Sequence, residues 1–155
     1  MASEGRGAAE RELIFNLPVD LTHVQEFARA VGEDNPVFFD AEAAEQHGFP
    51  NVVAPPTFTT TQIFQVPRDR REQQLGANLD YGRVLHGEQE FVYRRLPVAG
   101  ETLKGHMRIA KDFTKQGKRG GAMRFVTYES VFSDDAGEEV LTARYTLIET
   151  AKDVG

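Results

Sequence analysis

Cysteine is absent from the sequence, and with it every disulfide framework, thiolate nucleophile and Cys-ligated metal. A reducing, cytoplasmic setting fits that absence. Long hydrophobic runs are missing too: nothing approaches the roughly 18 apolar residues of a membrane span. The opening stretch from Met1 to Arg11 contains Glu4 and Glu10 and no apolar run, so it reads as neither signal peptide nor anchor. Positive charge is in deficit, with 18 Lys and Arg against 24 Asp and Glu and a net charge of -6, which repels polyphosphate and argues against nucleic acid as a partner. Histidine is sparse. His23, His47, His86 and His106 show no ligand-like spacing, so neither a metal nor a cofactor is expected. Internal repeats, linkers and low-complexity segments are also lacking.

What is present is the composition of a folded domain. Hydrophobic residues make up 40% and charged residues 27% of 155, a length that suits a single core. Residues 1–10 and 151–155 are expected to be tails around one domain spanning 11–150. Leu13 to Val19 reads as a strand ended near Pro18. Asp20 can cap a helix in which Val24, Phe27, Ala28 and Val31 form one apolar face and Gly32 supplies the stop. Asp40, the helix formers Ala41 to Gln46, and Gly48 predict a second helix. A third is expected from Pro56 to Val66, although Thr59, Thr60 and Thr61 oppose it by propensity. The charged stretch Arg68 to Gly76 has no apolar period and reads as an exposed loop.

Beyond Arg83 the period becomes two. Leu103, Gly105, Met107 and Ile109 alternate with polar residues, as do Leu141, Ala143, Tyr145 and Leu147. Turn clusters at Gly117 to Gly121 and Asp134 to Gly137 predict an antiparallel meander. Helices followed by strands, with one early strand, indicate an α+β domain in which a helix packs on a curved sheet.

Four segments stand out from these patterns: Gly32-Glu33-Asp34-Asn35-Pro36-Val37-Phe38-Phe39-Asp40, Val53-Ala54-Pro55-Pro56-Thr57-Phe58, Leu85-His86-Gly87-Glu88-Gln89-Glu90-Phe91, and Tyr93-Arg94-Arg95-Leu96-Pro97-Val98-Ala99-Gly100-Glu101. Taken singly, the first is an Asx and Pro turn and the second a stiffened helix entrance. In this order they resemble the MaoC-like hydratases and dehydratases of the hot dog fold, and more narrowly their FAS1-like dehydratase domains, over roughly Arg11 to Ile148. That resemblance implies a long central helix, from Pro56 to Val66, wrapped by an antiparallel sheet. It also implies two such units side by side, as a homodimer or as a heterodimer with a catalytic subunit, and an acyl-CoA or acyl-carrier-protein thioester at their interface. Asn35, Pro36, Pro55, Pro56, Thr57, Phe58 and His86 are then the candidate substrate-binding residues.

The family's catalytic signature, Gly-Asp-x-Asn-Pro-(aliphatic)-His, places an Asp and a His around the water that adds across an enoyl thioester. Here Gly32, Asn35, Pro36 and Val37 match, but Glu33 stands at the Asp position and Phe38 at the His position. A phenyl ring cannot carry a proton, so that half of the pair is lost. Glu33 keeps a carboxylate one methylene further out, and displacements of about 1 Å can lower a rate on the order of a hundredfold. Asp34 is out of register as a substitute. Pro55 and Pro56 have no N–H to offer a thioester carbonyl, which leaves Thr57 and Phe58 as the first donors of a helix N-terminus.

His86 is the candidate proton shuttle, weighed against a hydrogen-bonded structural histidine. Gly87 marks a bulge or a close backbone approach, and Glu88 and Glu90 would need partners if buried. Two basic groups, Arg68 with Arg70 and Arg71, and Lys115 with Lys118 and Arg119, are candidates for CoA phosphates against a reading as solvated loop charge. The leading expectation is a substrate-holding subunit without its own catalytic pair. The alternatives are an active homodimeric enoyl-CoA hydratase using Glu33, a hot dog thioesterase, and a non-enzymatic acyl-CoA binding module. The thioesterase reading is disfavoured because Thr57 to Gln65 contains no carboxylate.

Overall fold

The computed structural model describes residues 11–118 and 121–151. Of the expected tails at 1–10 and 151–155, residues 1–10 and 152–155 lie outside these, as does Arg119 of the second basic group. Strand β1 (Glu12–Pro18) alternates exposed and buried side chains and sends Leu13, Phe15 and Leu17 into the core. Helix α1 (Leu21–Ala30) starts where the Asp20 carboxylate accepts the His23 N–H at 3.2 Å. It ends in a Schellman motif: Glu33 N–H donates to Ala28 O and Gly32 N–H to Arg29 O, with Gly32 at φ +80°. Helix α2 (Ala41–Gln46) is capped by Asp40, which accepts the Ala43 N–H at 2.8 Å.

The third helical segment departs from expectation. Phe58–Phe64 is wound as a 3-10 helix rather than as a long α-helix over Pro56 to Val66. The Thr60 and Thr61 hydroxyls each donate to the carbonyl three residues back, Thr57 O and Phe58 O, both at 2.8 Å, which favours the tighter winding. Arg68–Leu75, expected as a loop, is helix α3. Pro67 precedes it, Gly76 terminates it in the left-handed region at φ +70°, and Arg71 and Leu75, one turn apart, are its buried residues.

Strands β2 (Val84–Tyr93), β3 (Thr102–Gly117), β4 (Gly121–Ser133) and β5 (Glu139–Glu149) join β1 in one antiparallel sheet of order β1-β3-β4-β5-β2. Only β3, β4 and β5 form the expected meander. β2 lies beyond β5 at the far edge, because residues 94–101 carry the chain back across the sheet end. There Arg94 N–H donates to Val140 O, and Ala54 N–H and Ala99 N–H bond Pro97 O and Val52 O respectively.

One face of the sheet holds the main core. Leu103 and Met107 of β3, Val126, Tyr128 and Phe132 of β4, and Leu141, Ala143 and Leu147 of β5 pack there with Phe58. Gly105 pairs with Phe15 in the β1–β3 register and leaves room for its ring; a Cβ there would meet Phe15 at 2.3 Å. A smaller cluster of Ala28, Val37, Phe38, Ala44 and Val53 lies between α1, α2 and the Val52–Ala54 segment. The five-stranded antiparallel sheet with its few helices is a hot dog fold of the α+β class.

Candidate functional site

The polar turn after α1 is built to hold its own shape. Glu33 is half-buried, and its backbone N–H ends α1. The Asn35 side-chain oxygen accepts the Val37 N–H at 3.1 Å and caps the short 3-10 turn Pro36–Phe38. Phe38 points into the smaller core, where Phe39, Phe49 and Leu96 pack around it with the residues named above. Phe38 is thus a packing residue of this smaller core.

At the start of the 3-10 helix, Pro55 is buried and Pro56 exposed. The Phe58 N–H is committed to Pro55 O at 2.9 Å, so of the two donors anticipated there only exposed Thr57 has an N–H without a partner among the described residues.

With three residues per turn, the 3-10 helix presents three ridges. Phe58, Thr61 and Phe64 face a cavity of about 680 Å³ bounded by α1 through His23, Phe27 and Ala30. Thr59 and Gln62 are buried, and the Ser130 hydroxyl of β4 donates to Gln62 Oε1 at 2.9 Å. Thr60 and Ile63, continued by Val66, face a second cavity of about 360 Å³ between the helical segment and the sheet. The smaller cavity has apolar walls from Val66, Val84, Met107 and Leu147 and polar groups from Arg71, Tyr81, His86, Gln89 and Tyr145. Both volumes fall in the range of small-molecule sites. Neither Glu33 nor Phe38 lines either one.

The polar end of the smaller cavity is organised by Arg71, which is only 8% exposed. Its guanidinium donates to the Tyr145 hydroxyl at 2.7 Å and to the Tyr81 hydroxyl at 2.5 Å, and lies 4.7 Å above the Tyr128 ring. Tyr81 passes the contact on by donating to Glu72 Oε1 at 2.7 Å, so the balancing carboxylate stands one hydroxyl away from the cation. Burial opposes the charge on Arg71, but the surrounding Tyr145, Tyr81 and Tyr128 hold it protonated. Burial likewise raises the pKa of Tyr145 above its ordinary value, so its hydroxyl keeps its proton. Its ring is stacked between Tyr128, at 5.1 Å and 22°, and His86, at 6.3 Å and 16°.

His86 is exposed, and the contact that describes it is this stacking rather than a hydrogen bond. Gly87 marks the expected bulge, and the close approach there is by a side chain rather than by a backbone. It sits at a register shift between His86 and Glu88, and a Cβ there would meet Ile148 at 2.6 Å. Glu88 and Glu90 are exposed, and Glu90 pairs with Arg144. Of the first basic group, Arg70 ties the helical segment to β1 through Gln65 O and Ile14 O, and Arg68 lies 4.6 Å over Tyr81. Lys115 sits over the stacked Phe113 and Phe125 rings. The Arg71 cluster was missed in the sequence because an arginine in an all-polar stretch signals solvent. The Pro67 and Gly76 punctuation was the available clue to a helix.

The FAS1-like, dehydratase domain region model matches residues 14–143. The chain belongs to the FAS1-like dehydratase family. A UPF0336 protein of Clavibacter michiganensis subsp. michiganensis is 43% identical over 126 residues, which cover 81% of this chain and 80% of that protein. Among solved structures, a chain of the C-terminally truncated HadBC (3R-hydroxyacyl-ACP dehydratase) complex from Mycobacterium tuberculosis is 30% identical with a TM-score of 0.72, covering 91% of this chain and 98% of that one. A chain of the ChsH1-ChsH2 complex from the same organism is 20% identical, with a TM-score of 0.67 over 94% and 85% of the two chains, and supports the hot dog fold alone. No described helix of this FAS1-like dehydratase chain is long and apolar enough to cross a membrane.

Proposed function

We propose that this chain is the acyl-thioester-holding, non-catalytic subunit of a hydratase or dehydratase of the MaoC-like class, working in the cytoplasm beside a subunit that supplies the Asp and His. The observation that carries this reading is Phe38. Where the family motif has its histidine, this chain has a ring 9% exposed and enclosed by aliphatic and aromatic neighbours, with no means of moving a proton. The cavity between the 3-10 helix and the sheet, apolar along its walls, suits an acyl chain. The uncommitted Thr57 N–H is the donor available to a thioester oxygen.

A second hot dog unit is the natural cover for the surfaces left open. Ile63 and Phe64 are 58% and 81% exposed beside the cavities. β2 is a ten-residue edge strand whose outer N–H and C=O groups invite pairing. The complex named HadBC among the structural relatives supports a pairing of unlike subunits.

The test is hydration of crotonyl-CoA and of a longer trans-2-enoyl-CoA, followed by loss of the enoyl thioester absorbance, with an active hydratase as control. The purified chain is expected to bind the thioester without turning it over. Turnover by the chain alone would sink the proposal and make Glu33 the first residue to mutate.

A further inference from the structure

The Tyr145 hydroxyl accepts a hydrogen bond from Arg71, and no described residue accepts its own proton. Tyr81, bound to the same guanidinium, differs in this respect because it donates to Glu72. Tyr145 lines the cavity between the 3-10 helix and the sheet together with His86 and Gln89, whereas most of the remaining wall is hydrocarbon. A hydroxyl polarised by a buried cation is a stronger donor than an isolated phenol, and a low dielectric magnifies the difference. A plain hydrocarbon chain would leave this donor unsatisfied, and an oxygen acceptor on the chain would remove that penalty.

We infer that Tyr145, held by Arg71, is a specificity determinant that hydrogen-bonds an oxygen function carried on the acyl chain, so that the cavity prefers oxygen-bearing acyl thioesters over plain hydrocarbon ones. This rests on the proposal that the chain holds an acyl thioester. The shared chemistry of the ligand is a keto, hydroxyl or carboxylate oxygen at the depth of Tyr145. Arg71 and Glu72 act through the tyrosines as positioning residues. Stacking between Tyr128 and His86 fixes the Tyr145 ring, so the hydroxyl meets one depth along the chain rather than many.

The experiment is calorimetric titration of the purified full-length chain with octanoyl-CoA and with a set of keto-octanoyl-CoA isomers in which the keto group is walked along the chain. One isomer is expected to bind about tenfold more tightly than octanoyl-CoA, the ratio a single net hydrogen bond supplies. In Tyr145→Phe, which keeps the stacked ring, that isomer is expected to fall to the level of octanoyl-CoA. Equal binding of every ligand by the wild-type chain would overturn the inference while leaving the acyl-holding proposal intact, and it depends on no variant. An equal loss for all ligands in Tyr145→Phe would assign the bond to the common thioester carbonyl and overturn it too. Failure of every thioester to bind would remove the underlying proposal itself.

Discussion

Replacing Phe38 with histidine restores the family's residue type at that position, and we expect it to damage the fold without creating a catalyst. The phenyl ring is 9% exposed and surrounded by Ala28, Val37, Ala44, Val53, Phe39, Phe49 and Leu96. None of these side chains offers a hydrogen bond to an imidazole. Exchanging the ring forfeits part of a burial worth roughly 1.5–3 kcal/mol. Leaving ring nitrogens unpaired costs about 1–3 kcal/mol more. Together the expected loss is roughly 2–5 kcal/mol, or a drop in Tm on the order of 5–15 °C for a chain of this size.

The loss should also depend on pH. An apolar enclosure disfavours imidazolium, so the folded-state pKa of the new histidine would lie below the unfolded value of about 6.5. Below that value the unfolded chain binds a proton that the folded chain refuses, so stability falls as pH falls, by at most about 1.4 kcal/mol per pH unit. Urea melts of the wild type and Phe38→His at pH 8 and pH 5.5 would measure both effects. A variant as stable as the wild type at both values would refute the account, since it would mean that water or a polar partner reaches this position.

Two further outcomes follow from the same packing and charge arguments. Gly105→Ala places a methyl group 2.3 Å from the Phe15 ring and should destabilise the β1–β3 contact by about 1–3 kcal/mol, read from a shift in the urea midpoint; an unchanged midpoint would show that Phe15 moves freely. Burial disfavours ionisation of Glu129, but hydrogen bonds and charge from Arg144 and Arg108 overcome it and hold its carboxyl below the ordinary glutamate range. Its stabilising contribution should be complete above the unfolded value of about 4.3 and vanish as pH falls through the lower folded value. Glu129→Gln should flatten the acid limb of a stability profile, and a profile unaltered by the substitution would remove Glu129 as a source of that limb.

The elements legible in the sequence were those whose signals are local and agree with each other. Asp20 and Asp40 cap helices because a carboxylate two or three residues ahead of an N–H is a geometric fact of the chain, and Gly32 closes α1 for the same kind of reason. The alternation through Leu103 and Met107 and through Leu141, Ala143 and Leu147 marks the core-facing side of the sheet correctly. What could not be read depends on contacts between distant residues. The threonine run leaves the winding of Phe58–Phe64 undecided until hydroxyls bond back three residues, and α3 lacks an apolar stripe because its inward positions are held by Arg71 and Leu75. The departures at Glu33 and Phe38 were plain in the sequence. Where those residues sit was not, because the Phe38 enclosure draws on α1, α2 and Leu96. The Arg71–Tyr145 contact spans 74 positions and leaves no trace in any local pattern.

The winding of the Phe58–Phe64 segment also makes it a partition. At 120° per residue, residues three apart stay in line, so Phe58, Thr61 and Phe64 keep to one cavity and Thr60 and Ile63 to the other, while Gln62 of the third ridge is tied to Ser130 of the sheet and borders the smaller cavity. Rewound as an α-helix at 100° per residue, each step of three would fall short by about 60° and the ridges would spiral from one compartment into the other. The segment would also shorten from about 14 Å to about 10 Å. Thr60 and Thr61, through hydroxyls that bond only to backbone, thereby keep two chambers separate and set how far apart their ends lie.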